Sequence, residues 1–411
     1  MKKIKIAIVS LLLLLALLLN LTGCVKSVKA QNLMDGITPR HITESYDLTE
    51  GSVQITDFAI ELFKNSKSEN SSVISPLSVL CALGMLSNGA NGEAKTEIEN
   101  AIGMSTEELN LFLYTYVNSL PQGEKYKLSV ANSIWVNEGF SANEEFLQTN
   151  KDYHDADVYN APFNNSTLKD INNWVSNKTD KMIPKILNDI SPDSLMYLVN
   201  ALAFEAEWQE IYEDNQVRNS TFTTENGTEK QMEFMYATEG SYLENENAIG
   251  FKKYYKGSKY AFVALLPKNE MTVDQYLSTL NGSELNSLLT SSNYATTYTS
   301  IPKFESEYSI EMKEALKKMG IENIFDMEDA DLRGVGQIEG GNLYVSRVLH
   351  KSFISVAEKG TRAGAVTVMD LCGSAGPGQE PVYIYLDRPF VYMLIDTTTN
   401  IPFFIGTMMG K

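Results

Sequence analysis

The chain has 411 residues, 52 of them acidic and 34 basic, leaving a formal net charge of −18. So acidic a surface is a poor match for nucleic acid or anionic lipid, both of which are gripped through basic clusters. Its three histidines and three cysteines are too scattered to give any His/Cys/carboxylate cluster with metal-ligand spacing.

The chain opens Met1-Lys2-Lys3-Ile4-Lys5 and continues with an apolar run at 6–19. Lysines ahead of a short apolar stretch form a secretory signal, and the run falls short of the ~20 apolar residues a bilayer span needs. It ends in Leu21-Thr22-Gly23-Cys24, which resembles the bacterial lipobox. Residues 1–23 are then a signal peptide, and Cys24 carries a diacylglycerol. A single acyl chain anchors only marginally, so a two-chain anchor matters. From Val25 to about Arg40 the chain lacks periodicity, so residues 24–50 are expected to form a lipidated, flexible tether. The chain is then extracytoplasmic, anchored to a bacterial membrane or cell surface.

Beyond residue 50, no charge run or Pro/Ser/Gly linker divides the chain and no repeat recurs, so one domain is expected. Ile55, Phe58, Ala59, Leu62 and Phe63 trace an amphipathic helix. Ser75-Pro76 opens a second, with a hydroxyl cap and proline in its first turn, and Gly89 stops it. This helix is apolar nearly all round at 77–86 and is expected to be buried. Ile171, Trp174, Val175 and Lys178 mark a third, interrupted by Pro184. Strand-like runs lie at 128–136, 196–204, 260–266, 383–386 and 390–395. The last two are expected to pair with 401–407 as C-terminal strands. Helices come early and strands are scattered without βαβ alternation, so the class is α+β.

Chemistry finds no team. His41, His154 and His350 belong to no HExxH motif, and neither CxxC nor G-x-S-x-G occurs. The glycines at 334–341 lack the strand and helix that a phosphate loop requires. Catalytic residues, metal and cofactor are therefore expected to be none. Cys81 sits in an apolar run and Cys372 in a Gly/Ser/Pro stretch, so no disulfide is expected between them.

Two polar features stand inside apolar surroundings. Asn200 interrupts the 196–204 run, and Ser75 and Ser78 flank Pro76. Unpaired buried polar groups cost roughly 1–3 kcal/mol. The residues either find one another or are satisfied locally, the serines as caps and the amide within the core. Further on, Glu358-Lys359-Gly360 precedes Thr361-Arg362-Ala363-Gly364-Ala365-Val366-Thr367. Taken as a strand, Thr361, Ala363, Ala365 and Thr367 share one small, uncharged face, while Arg362 points the other way. Such a strand can slide between two others without burying a charge.

At this point the sequence resembles the serpins over roughly Ser52 to Lys411. The resemblance rests on Ser75-Pro76-Leu77-Ser78, on Leu198-Val199-Asn200-Ala201 with Phe204 and Trp208, and on His350-Lys351. Leu128-Ser129-Val130-Ala131-Asn132, Ile301-Pro302-Lys303-Phe304, Ala330-Asp331-Leu332, Arg388-Pro389-Phe390 and the hinge stretch from Glu358 to Thr367 also match the family's order and spacing.

The resemblance implies a serpin domain over 51–411. It implies a large central mixed sheet, additional sheets, about eight to nine helices and a mobile reactive-centre loop. Ser75, Ser78, Asn200 and His350 would lie at a shutter beneath the central strands, hydrogen-bonded to each other. Trp208 would lie at the breach, and Glu358, Gly360, Thr361, Ala363, Ala365 and Thr367 would form the inserting hinge. The implied activity is suicide inhibition of a serine protease, elastase- or subtilisin-like, by a monomer that forms a covalent acyl complex. A non-inhibitory carrier is the alternative, but such chains tend to carry bulky, charged or proline residues on the hinge face, and here there are none. The family's pair of hinge acids is replaced by Glu358-Lys359. Counting from Glu358 puts the reactive bond at Ser374-Ala375, whereas counting back from Pro389 lands nearer Gly378.

Overall fold

The computed structural model describes residues 26–268, 270–291, 293–339, 341–361 and 380–410. The leader, Cys24, Ala363, Ala365, Thr367, Cys372, Ser374 and Ala375 lie outside the described residues. The described chain holds nine α-helices packed on two large sheets.

Helix α1 (Leu48–Ser66) buries Ile55, Phe58, Ala59, Leu62 and Phe63 along one stripe, as its periodicity requires. Helix α2 (Pro76–Ser87) is buried at every position, with Ser75 as its N-cap accepting from the Ser78 amide. Both lie in the core cluster that also holds the C-terminal strands β17 (Phe390–Asp396) and β18 (Pro402–Met408). In those two strands every residue is buried, which explains their continuous apolar runs. Helix α6 (Asn165–Lys178) buries Ile171, Trp174 and Val175, and it has already ended six residues short of Pro184.

The seven-stranded sheet runs in the order β1-β5-β3-β6-β15-β14-β12. Its strands are β1 (Gln31–Asn32), β3 (Tyr126–Asn137), β5 (Asp157–Ala161), β6 (Met196–Glu207), β12 (Phe304–Glu311), β14 (Arg347–Ala357) and β15 (Gly360–Thr361). The nine-stranded sheet contains β8 (Glu229–Glu244), β9 (Ala248–Tyr254), β10 (Tyr260–Pro267), β11 (Asn293–Pro302) and β16 (Val382–Tyr385), besides β17 and β18. It also takes in β2 (Ser72–Ile74), which pairs with β18, and β7 (Val217–Thr223), which pairs with β8.

Two expectations are corrected here. The run at 383–386 does not join the C-terminal strands; β16 pairs in parallel with β11, at the opposite end of the sheet from β17. Alternating apolar character identifies a strand but not its partner. The tether also does not hang free once it reaches Lys26. Lys26 exchanges hydrogen bonds with the Asn177 side chain, the Ala30 amide donates to Asp170 Oδ2 at 2.9 Å, and β1 pairs with β5. Met34 is buried, and Arg40 Nε donates to Asp152 Oδ2 at 2.6 Å. These anchors are hydrogen bonds to backbone and to scattered side chains, which leave no periodic mark on the segment's own sequence.

Candidate functional site: the seam between two central strands

The site lies along the seam between β6 and β14. At one end, residues 197–201 and 347–351 pair directly in parallel. At the other, β15 fills the space, antiparallel to both neighbours, with Thr361 opposite Ala206 and Val356. Between these ends, residues 202–205 and 352–355 carry no ladder pairs across the seam among the described residues.

The directly paired end holds the shutter residues. The Ser75 amide donates to His350 Nε2 at 3.1 Å, and the Ser352 hydroxyl lies 2.8 Å from the same nitrogen. A backbone N–H can only donate, so Nε2 is the acceptor and the ring proton sits on Nδ1. That nitrogen is 3.4 Å from Ser78 Oγ, which itself donates to the Ser75 carbonyl at 3.0 Å. Burial pushes His350 down to about 3, so the ring is neutral. Ser75, Ser78 and His350 are thus brought together, and Ser352 completes their cluster. Its presence was legible, because it stands two residues from His350 on the same strand face.

Asn200 departs from the expected network. Cross-strand register sets it between Asn132 and His350, and it is fully buried. Yet neither its amide nitrogen nor its oxygen has a hydrogen-bond partner among the described residues, and Asn132 Oδ1 is likewise unpartnered. Adjacency in register brings the side chains abreast but does not aim their dipoles at each other.

At the breach, Trp208 donates through Nε1 to the Ala357 carbonyl at 2.8 Å, and its amide donates to Lys359 O at 2.9 Å. Its ring stacks on Tyr255 at 4.4 Å. The Tyr255 hydroxyl is 2.5 Å from Thr361 Oγ1, and Thr361 is only 2 % exposed. Lys253 is buried beneath, 3.2 Å from Glu239 Oε1 and 4.6 Å from the centroid of the Tyr212 ring. Tyr255, Tyr212 and the Lys253–Glu239 pair escape sequence reasoning, because they come from segments far from the hinge along the chain with no motif to tie them to it. Gly360 has φ +149°, and a Cβ there would lie 2.0 Å from the Ala206 carbonyl oxygen. Only glycine fits at that crossing.

The Glu358-Lys359 pair is resolved by geometry. Glu358 faces Lys303 at 2.6 Å, and Lys303 also reaches Glu233 at 2.9 Å. Burial works upward on the Glu358 carboxyl, but the Lys303 ion pair, a backbone hydrogen bond and the Lys359 charge together hold the group below the usual carboxylate range. The family's second acid is absent, yet the first retains a cation. Among the described residues no group of three or more His, Cys, Asp or Glu side chains is arranged for a metal. Burial pushes the Cys81 thiol up to about 12, so it is not a nucleophile at neutral pH.

Among the described residues the seam is thus paired at one end and holds the hinge strand at the other. Comparisons with known proteins agree with that architecture. The model of the family described as Serpin (serine protease inhibitor) matches residues 53–410. The chain is similar to the crystal structure of the thermophilic serpin tengpin in its native state, at 45% identity with TM-score 0.89, covering 93% of this chain and 100% of that one. Similarity to tengpin in its latent state is lower, with TM-score 0.77. An uncharacterised serpin-like protein of Thermococcus kodakarensis is 28% identical over 98% of both chains, and human neuroserpin 27% over 86% of this chain and 90% of its own.

Proposed function

The chain belongs to the serpin family, whose members are generally protease inhibitors and not catalysts, and from that premise we propose that it traps serine proteases by suicide inhibition. The protease serine attacks the Ser374 carbonyl, the Ser374-Ala375 amide bond breaks, and Ala375 leaves as a protonated amine. An ester between the protease and Ser374 remains. The freed loop then inserts into the seam and carries the protease with it.

The observation that carries this reading is β15. The first hinge residues already occupy the seam as a strand bonded on both sides. Continued in the same register, residues 362–365 take the unpaired middle, while residue 366 onward must part the five ladder pairs at 197–201 and 347–351. Thr361, Ala363, Ala365 and Thr367 then face the core, and Thr367 arrives between Asn200 and His350. Its hydroxyl gives the unpartnered Asn200 amide its hydrogen bond. About a dozen new backbone bonds at 0.5–1.5 kcal/mol each yield on the order of 10 kcal/mol, comparable to the whole stability of a domain. That is enough to distort a bound protease.

The loop stretch from Val366 to Gly378 contains no Lys or Arg, which favours elastase- or subtilisin-like enzymes over trypsin-like ones. Anchoring at Cys24 belongs to the same proposal. Lys26 is already docked on α6, so the anchor holds the domain against the membrane and not at the end of a long leash. A Cys24→Ser variant is expected to move from the membrane fraction to the medium; wild type already in the medium would end the anchor idea.

Incubation with subtilisin and pancreatic elastase tests the inhibitory reading. A complex that survives boiling in detergent is expected, with a released peptide beginning at Ala375. Cleavage with full recovery of protease activity, or no cleavage at all, overturns it.

A further inference from the structure

Beneath the breach lies a pair of charges that strand insertion does not call on. Lys253 of β9 is buried, and its Nζ stands 3.2 Å from Glu239 Oε1 of β8. The β8–β9 ladder consists of Leu243 opposite Gly250 and Glu244 opposite Ile249, so the pair joins the two strands beyond the end of their backbone bonding. The same Nζ lies 4.6 Å from the centroid of the Tyr212 ring and 5.9 Å from that of Trp208. Both distances are within cation–π range. Tyr212 is not held through its own hydroxyl, which is buried without a hydrogen-bond partner among the described residues.

Those two aromatic residues are the ones that carry the hinge turn. The Trp208 amide donates to Lys359 O and the Tyr212 amide to Glu358 O, each at 2.9 Å, and the Trp208 indole donates to Ala357 O at 2.8 Å. One ammonium therefore meets both residues that fix three consecutive hinge carbonyls. Apolar side chains would fill the same space, and a buried ion pair often stabilises a fold no more than apolar groups of similar volume do. What apolar contact lacks is direction. A cation held by a carboxylate and drawn to two ring faces sets the orientation of both rings, and with them the amides that meet the hinge.

We propose that Lys253, held by Glu239, is a positioning residue for the hinge: it orients Trp208 and Tyr212 so that their N–H groups grip residues 357–359 and keep β15 in register between β6 and β14. The consequence for trapping rests on the inhibitory reading, whereas the grip itself rests on the geometry alone.

The test replaces both charges with apolar groups of similar size, Lys253→Met/Glu239→Leu, and follows amide hydrogen exchange at Trp208 and Tyr212 together with the urea midpoint. Exchange is expected to quicken about tenfold, the scale of a desolvated cation–π contact, while the midpoint stays at the wild-type value or rises. A merely structural pair would lower the midpoint and leave exchange within twofold of wild type, and that result overturns the proposal. Lys253→Met alone should quicken exchange as well, and Lys253→Arg, which keeps a cation at the ring faces, should restore slow exchange. An arginine variant as fast as the methionine one also overturns it. With subtilisin and pancreatic elastase, the double variant is expected to consume about threefold more inhibitor per protease trapped, as insertion slows relative to deacylation. If wild type is cleaved without trapping, the inhibitory reading falls, while the exchange rates still decide the positioning role.

Discussion

The two ends of the seam are built on opposite principles. At the breach the hinge is held by a set of partnered polar groups, although the buried Tyr212 hydroxyl and Glu207 Oε1 beside it have no hydrogen-bond partner among the described residues. Trp208 holds two backbone carbonyls, Tyr255 holds Thr361, and Lys253 is neutralised by Glu239. At the shutter the serines and His350 are satisfied, but Asn200 between them has no partner among the described residues. Leaving a buried amide unpaired costs roughly 1–3 kcal/mol. The breach is thus stable as it stands, with its strand in place. The shutter carries an unpartnered amide, which the proposed insertion would supply with a partner.

The largest expected disturbance is Thr361→Arg. Thr361 is already buried against Tyr255, so the charge must enter a filled strand position, at a cost of several kcal/mol. The hinge is expected to leave the breach, exposing Trp208 and red-shifting its fluorescence. The variant should then be cleaved as a substrate, with protease activity recovered. Trapping at the wild-type level would show that insertion is not the mechanism.

Acidification comes next. His350 is held down to about 3 and His154 to about 4, both by burial, against 6.5 for the free ring. Both rings are neutral in the fold and take up protons on unfolding. Stability is therefore complete above pH ~6.5 and declines as pH falls toward 4 and then 3. The urea midpoint should be lower at pH 5.0 than at 7.5, and His350→Gln should flatten that difference while weakening the protein at both. Equal midpoints at the two pH values would contradict the buried neutral rings.

Asn200→Val sharpens the contrast between the two ends. Removing an unpartnered amide should stabilise the native fold by roughly 1–2 kcal/mol, yet more inhibitor should be cleaved per protease trapped, since Thr367 loses its destination. A drop in the urea midpoint would mean that the amide is hydrogen-bonded in the native state. The smallest effect is expected from Arg40→Ala, where an exposed guanidinium meets the buried Asp152. A small drop of the midpoint in the same unfolding assay, screened out by added salt, would mark the contribution of the docked N-terminal segment.

What could be read from the chain was whatever rests on short-range pattern. The amphipathic stripe of α1, the Ser75 cap, the all-round burial of α2 and the small face of the hinge follow from periodicities of 3.6 and 2 and from side-chain size. So does the pairing of β17 with β18, because a short turn joins them. Pairing across long separations was not legible. β16 has the look of its C-terminal neighbours but lies in parallel beside β11, since a strand's own pattern says nothing about whose edge it meets. The family resemblance grouped Ser75, Ser78, Asn200 and His350, and the structure hydrogen-bonds Ser75 and Ser78 to His350. Which of them would go without was decided by the closure of β6 on β14, which sets Asn200 abreast of His350 without turning its amide toward it. The docked segment from Lys26 and the Tyr255 contact to Thr361 were likewise settled only in three dimensions, because both depend on elements that meet through the sheet and not along the chain.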